Sequence, residues 1–209
     1  MQPEDLGAVP LFPLPNVVLL PAGVIPLHVF ESRYCSLVEH ALGSNQLLAL
    51  PQLAPGWEAE YHAEPAIHQI FGLGRIVEHE RLDGDRFNIL VEGLARVRLL
   101  TESLHTEGFR EARVTLVKDL EGDAERLEKA TIQTKIALAQ LISLAPQMRQ
   151  LGALLDLKID PGSFTDTLAH ALMGEPKERQ HYIETDRVSD RMVLTQQTLE
   201  NVLVEIMTQ

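Results

Sequence analysis

Glu78-His79-Glu80 and Gly72-Leu73-Gly74 are the two stretches whose residue types and spacing invite a chemical reading. Two carboxylates flanking an imidazole have the composition of a general acid–base centre. The surrounding residues have a strand pattern, however, and alternation turns His79 away from both carboxylates. A solvated strand is the expectation there. The two glycines form the first half of a dinucleotide fingerprint, but the third glycine position holds Val77 and the following residues do not open a helix. No pyrophosphate cradle can form without that helix N-terminus. The glycines are expected to relieve a bulge or bend in a strand.

The remaining reactive side chains form no catalytic set. Eight histidines are scattered without close ligand spacing. His62 and His68 flank Pro65, but no third ligand accompanies them, so no metal site is expected. Cys35 is the one cysteine, which excludes an intramolecular disulfide and a cysteine-rich metal site. It reads as a small filler, with a reactive thiol as the other reading. Neither a phosphate-binding GxxxxGK[ST] nor a nucleophile-elbow GxSxG occurs. Ser143, Ser163 and Ser189 fall in or beside helices without a base. The chain is expected to be no enzyme and to carry no cofactor.

Two features invite binding instead. The loop over 51–66 is long for a compact domain and carries Trp57, with Tyr61 close by. Trp57 either pins the loop to the core or meets a ligand, and the second reading makes the loop a border of the binding surface. Arg75, Glu92 and Arg96, with Arg98, lie in strand segments. They form either a polar groove for a peptide or a solvated sheet face.

Charge narrows the partners. Eighteen basic against thirty acidic residues give a net charge of −12. Nucleic-acid affinity comes largely from lysine and arginine displacing counterions, so no nucleic acid is expected as a partner. The same balance argues against anionic membranes. The opening "LFPLPNVVLLPAGVIPLHVFESRY", residues 11 to 34, is greasy enough to suggest a membrane segment. Its prolines would break a spanning helix. The residues before it carry Glu4 and Asp5 and no lysine or arginine, unlike a secretory signal. A cytoplasmic protein is expected.

The elements fall in two halves, 1–119 and 120–209. Before residue 120, period-two patterns and turns dominate. Val17–Leu20 reads as a buried strand, 31–42 as a helix closed by Gly43, and 47–50 as a strand. Residues 67–81 and 87–92 read as strands joined by a hairpin at Asp83-Gly84. Gly93 is expected to break the line before a strand over 95–99 with Arg96 and Arg98 on a wet face. A last strand covers 111–117. After residue 120, helical periodicity predicts helices over 123–144, from Asp160-Pro161 to about Met173, from Glu175-Pro176, and over 186–207. Pro146 starts a turn or short helix, giving four or five helices in all. The fold class is α+β: a β-rich barrel or sandwich with one helix, followed by a helical bundle.

"LFPLPNVVLLPAGVIPLHVFESRYCSLVEHAL" (11–42), "GLGRIVEHERLDGDRFNILVEGLARVRL" (72–99) and "DPGSFTDTLAHAL" (160–172) resemble the N-terminal substrate-binding domain of Lon-type ATP-dependent proteases. The resemblance spans essentially the whole chain. It implies a PUA-like pseudo-barrel followed by a helical bundle, with the apolar start serving as first strand and core. It also implies a non-catalytic module binding unfolded or tagged protein segments, with a protease or chaperone as a further partner. Full-length Lon proteases continue into an ATPase module and a Ser-Lys protease domain. This chain, with no Walker motif, looks like the free-standing Lon N-domain proteins of bacteria. The PUA-like likeness leaves an RNA-binding module as the alternative, beside an enzyme of unknown type.

Overall fold

The computed structural model describes residues 6–60, 64–120, 122–156 and 158–208. The chain divides into two compact units, 1–117 and 118–209. Among its described residues, the first holds six strands and one α-helix: β1 (Ala8–Leu11), β2 (Val24–Val29), α1 (Ser32–Leu42), β3 (Leu47–Leu50), β4 (Ile70–Leu82), β5 (Arg86–Leu104) and β6 (Arg110–Leu116). The second is helical: α2 (Ala124–Leu144), a 3-10 stretch Pro146–Gly152, α3 (Ala153–Asp156), α4 (Pro161–Leu172), α5 (Pro176–Glu184) and α6 (Val188–Thr208). The mixed α+β class expected from the sequence is the class observed.

The strands run in the order β2-β5-β4-β3-β1-β6, and a further β5–β6 pairing closes the last five into a barrel. Closure depends on the length of β5. Its first half pairs with β2 and its second half with β6, while β4 lies along most of it. β3 is buried on both faces, as its uninterrupted Leu47-Leu48-Ala49-Leu50 suggests. Leu48 and Leu50 enter one core cluster with Leu37, Val38, Phe87 and Val91 from α1 and β5. Leu47 and Ala49 enter the other with Phe71, Val97 and Val114. Period-two alternation thus lets one strand feed both cores.

Three departures from the sequence reading concern the course of these elements. Val17–Leu20 is not a strand; it is an irregular segment whose Val18, Leu19 and Leu20 are buried against the strands. β5 does not break at Gly93 but runs through it. Both differences have one cause. A Cβ on Gly72 would lie 2.1 Å from the Leu19 carbonyl oxygen, and one on Gly93 would lie 2.1 Å from that of Leu20. The glycines therefore let this segment rest on the strands backbone to backbone. A register shift at Leu73/Gly74 supplies the bulge anticipated at Gly72-Leu73-Gly74. The third departure is the backbone conformation at the end of α1, which closes on Gly43 as expected. Gly43 stays right-handed at φ −75°, and the left-handed residue is Gln46, at φ 62°.

In the helical unit, Leu138, Leu141, Phe164, Leu168, Met192 and Leu199 make the core. Asp160 caps α4 as the sequence predicts. It accepts from the Ser163 N–H at 3.0 Å and the Ser163 hydroxyl at 2.7 Å. These bonds hold its carboxyl below the usual range. A group whose folded-state pKa is depressed contributes fully above its unfolded value and loses that contribution as pH falls through the folded one. Asp160→Ala is expected to cost about 1 kcal/mol at neutral pH. Urea melts at pH 7 and below pH ~3.9 check this: the difference between wild type and variant must shrink at the lower pH.

Candidate functional site

Three strands of the first unit present one continuous outer face. Residues directly opposite in an antiparallel ladder project to the same side. The register therefore stacks three outward rows: Val24, Glu92 and Arg75; then Pro26, Leu90 and Glu78; then His28, Asn88 and Glu80. The intervening Ile25, Val91 and Ile76 point inward to the core. Apolar and charged groups are mixed across this face. Val24 is 42% exposed, and Val77, the extra residue at a bulge in β4, is 44% exposed. Phe30, just beyond β2, is 65% exposed with its ring stacked on His28. A shallow depression of about 470 Å³ crosses the face over Pro26, His28, Glu78, Asn88 and Leu90.

The polar groups of the last row are fixed by donor–acceptor logic. Glu80 accepts from the Asn88 amide nitrogen at 3.0 Å. The amide oxygen of Asn88 is therefore the atom that faces His28, 2.8 Å from Nδ1. Nδ1 must carry the proton, which leaves Nε2 as an outward acceptor in the neutral ring.

β2 also has an open edge. Among the described residues it pairs with β5 alone. The Gly23 carbonyl accepts from the Gly93 N–H at 2.7 Å. By alternation, residues 25, 27 and 29 address β5, while the backbone groups of Pro26 and His28 point to the open side. A proline in a strand requires that placement, because it has no N–H for the ladder. The open edge thus offers the Pro26 carbonyl and both backbone groups of His28.

Of the residues singled out from the sequence, Arg75 and Glu92 meet on this face as cross-strand partners. Arg96 does not join them. It is 3% exposed, against the wet face expected for it. Its cross-strand partner is Gly72, against which the Leu19 backbone rests, so the 17–20 segment covers that position. Trp57 is half-buried at the start of the 3-10 turn Trp57–Glu60 and packs on the second core cluster, the posture of a residue that pins its loop. Tyr61 and His62 lie outside the described residues.

The other reactive candidates behave as the sequence suggested. His79 pairs with Ile89 on the side opposite Glu78 and Glu80. Cys35 is buried, and burial, with the Glu39 and Asp85 carboxylates, pushes its thiol up, away from the reactive thiolate. Pro26, His28 and Phe30 were missed because the opening stretch is apolar at nearly every position and read wholly as core. The available signal was the period-two placement of Pro26 and His28, neither of which suits a buried strand face.

Comparison with known proteins agrees with the fold. A family model, that of the ATP-dependent protease La (LON) substrate-binding domain, matches residues 8–201. Lon protease of Roseiflexus castenholzii is 30% identical over 196 residues, covering 91% of this chain and 24% of its own length. Lon protease of Anaeromyxobacter dehalogenans is 27% identical over 199 residues, covering 94% of this chain and 23% of its own. The chain spans about a quarter of the length of the curated relatives it matches. Among solved structures, the N-terminal domain of Mycobacterium avium complex Lon protease superposes with TM-score 0.69 at 19% identity, covering 93% of this chain and 98% of that one. A Lon N-terminal domain protein from Xanthomonas campestris gives 0.60 at 23%, covering 94% and 97%. At these identities the structural likeness is one of fold.

Proposed function

The chain belongs to the family of the Lon substrate-binding domain, and from that premise we propose that it is a non-catalytic module that binds unfolded or tagged segments of other proteins in extended form against β2. The carrying observation is the open edge of β2, flanked by an outward face that mixes apolar and polar groups. An added strand gains affinity from main-chain hydrogen bonds, which are indifferent to sequence, and selectivity from the side chains beside it. That combination suits a module that must accept many unfolded clients. Val24, Val77 and Phe30 supply apolar contact, and Arg75 and Glu92 supply charge at one end of the face. The module acts in the cytoplasm, where clients are presented to a protease or chaperone.

A proline exchange tests the edge without touching the core. Pro26→Ala adds an outward N–H, whereas His28→Pro removes one, and the backbone of neither position bonds to β5. One backbone hydrogen bond is worth about 0.5–1.5 kcal/mol net. With permanently unfolded, carboxymethylated α-lactalbumin as the probe, Pro26→Ala is expected to tighten binding roughly 3- to 10-fold and His28→Pro to weaken it by a similar factor. Fluorescence anisotropy of the labelled probe reads both. Identical affinities for both variants and wild type, all folded by circular dichroism, would remove the β2 edge from the account.

A further inference from the structure

The fold brings together three metal-binding side chains that are far apart in sequence. His40 lies in the last turn of α1, His105 just past the end of β5, and Glu107 two residues further on. One potential ligand atom from each falls within 4.8 Å of the others. We propose that His40, His105 and Glu107 form a binding site for a zinc-class divalent cation, clipping the end of α1 to the β5–β6 turn.

The scaffold holds the two histidines in place. Phe109 is buried and stacks on the His105 ring, with centroids 4.3 Å apart and planes 16° from parallel. The same phenyl ring lies 5.4 Å from His40, and the two imidazoles meet edge to face at 4.8 Å. Phe109 belongs to the core cluster that includes Val38 and Ala41 of α1, so one side chain anchors both histidines. The turn itself is tied by His105 N–H to the Phe109 carbonyl at 2.8 Å and by Gly108 N–H to the His105 carbonyl at 2.9 Å.

The donor set suits the cation. The Glu107 N–H donates to His105 Nδ1 at 3.2 Å and so occupies the single lone pair of that nitrogen; a cation at Nδ1 takes the place of this bond. The Glu107 carboxylate lies 3.7 Å from the same nitrogen. Tetrahedral coordination at about 2.1 Å puts donor atoms about 3.4 Å apart. The exposed Glu107 carboxylate, unlike the two packed rings, is the group with room to move as the donors close from 4.8 Å to that spacing. Two imidazoles and one carboxylate favour Zn²⁺ and its late first-row neighbours over Mg²⁺ and Ca²⁺, which take oxygen ligands. Three protein ligands leave one coordination position for water or a partner's side chain.

The test uses the full chain, free of any affinity tag and stripped with a chelator, titrated with Zn²⁺ alone by calorimetry. One equivalent is expected to bind and to raise the melting temperature, while Mg²⁺ does neither. His40→Gln and His105→Gln should each weaken the site more than ~10-fold, with unchanged circular dichroism, while His181→Gln in the helical unit leaves it intact. Absence of binding to the wild type, or binding by His40→Gln and His105→Gln as tight as the wild type's, would overturn the proposal. If a histidine variant misfolds, Glu107→Gln on the exposed turn decides: it must also weaken Zn²⁺ binding.

Discussion

Arg191→Ala is expected to lower the stability of the helical unit by about 3–5 kcal/mol, as loss of one partner from a buried ion pair does. Arg191 is 1% exposed at the start of α6. Its guanidinium donates two bonds to Asp119, at 2.8 and 3.1 Å, and a third to the Thr185 carbonyl at 3.2 Å. Its Nε lies 3.3 Å from Asp166, which in turn accepts from the Tyr182 hydroxyl at 2.5 Å. Burial alone would push the arginine towards losing its proton, but the Asp119 hydrogen bonds and the Asp166 charge outweigh it and hold the cation. Burial, then Asp166, keeps Tyr182 a neutral donor. Alanine would leave the Asp166 carboxylate buried without its cation. Tyr182→Phe should cost far less, about 1–2 kcal/mol, because Asp166 keeps Arg191. Urea unfolding of both variants measures the pair. A cost below about 1 kcal/mol for Arg191→Ala would show that the charges are not coupled as described.

Gly93→Ala is the second severe change. The added Cβ would stand 2.1 Å from the Leu20 carbonyl oxygen and 3.2 Å from a Leu19 methyl group. The methyl group can turn aside; the carbonyl belongs to a buried backbone and cannot. The cost should reach or exceed the ~3 kcal/mol upper end of ordinary overpacking. Gly72→Ala meets the Leu19 carbonyl at the same distance and should behave alike. Gly174→Ala, with nothing within 4 Å, is the control expected to melt with the wild type. Thermal melts that coincide for Gly93→Ala and Gly174→Ala would show that the 17–20 segment does not rest on the strands as seen.

These two sites also mark what could be read from the sequence. Elements with local signals were legible: the all-apolar β3, the Asp160-Pro161 start of α4, and the face of α1 that buries Tyr34, Leu37, Val38 and Ala41. The path of Val17–Leu20 was not, because its buried apolar residues look the same in a strand as in a segment lying across one. Gly93 read as a break for the same reason: what it accommodates comes from seventy residues upstream. Arg96 read as wet because its alternation with Val97 is local, whereas its cover is not. On the candidate site, Arg75 and Glu92 were legible as strand charges, but their pairing needed the β4–β5 register. The meeting of His40 and His105 depends wholly on tertiary structure.

Backbone amide hydrogen exchange, read with and without saturating carboxymethylated α-lactalbumin, tests the central claim most directly. The His28 amide, outward on the open edge of β2, is expected to slow markedly on binding, while the amides of Leu27 and Val29, already bonded to β5, change little. Protection that leaves His28 unchanged and appears only in the helical unit would contradict it.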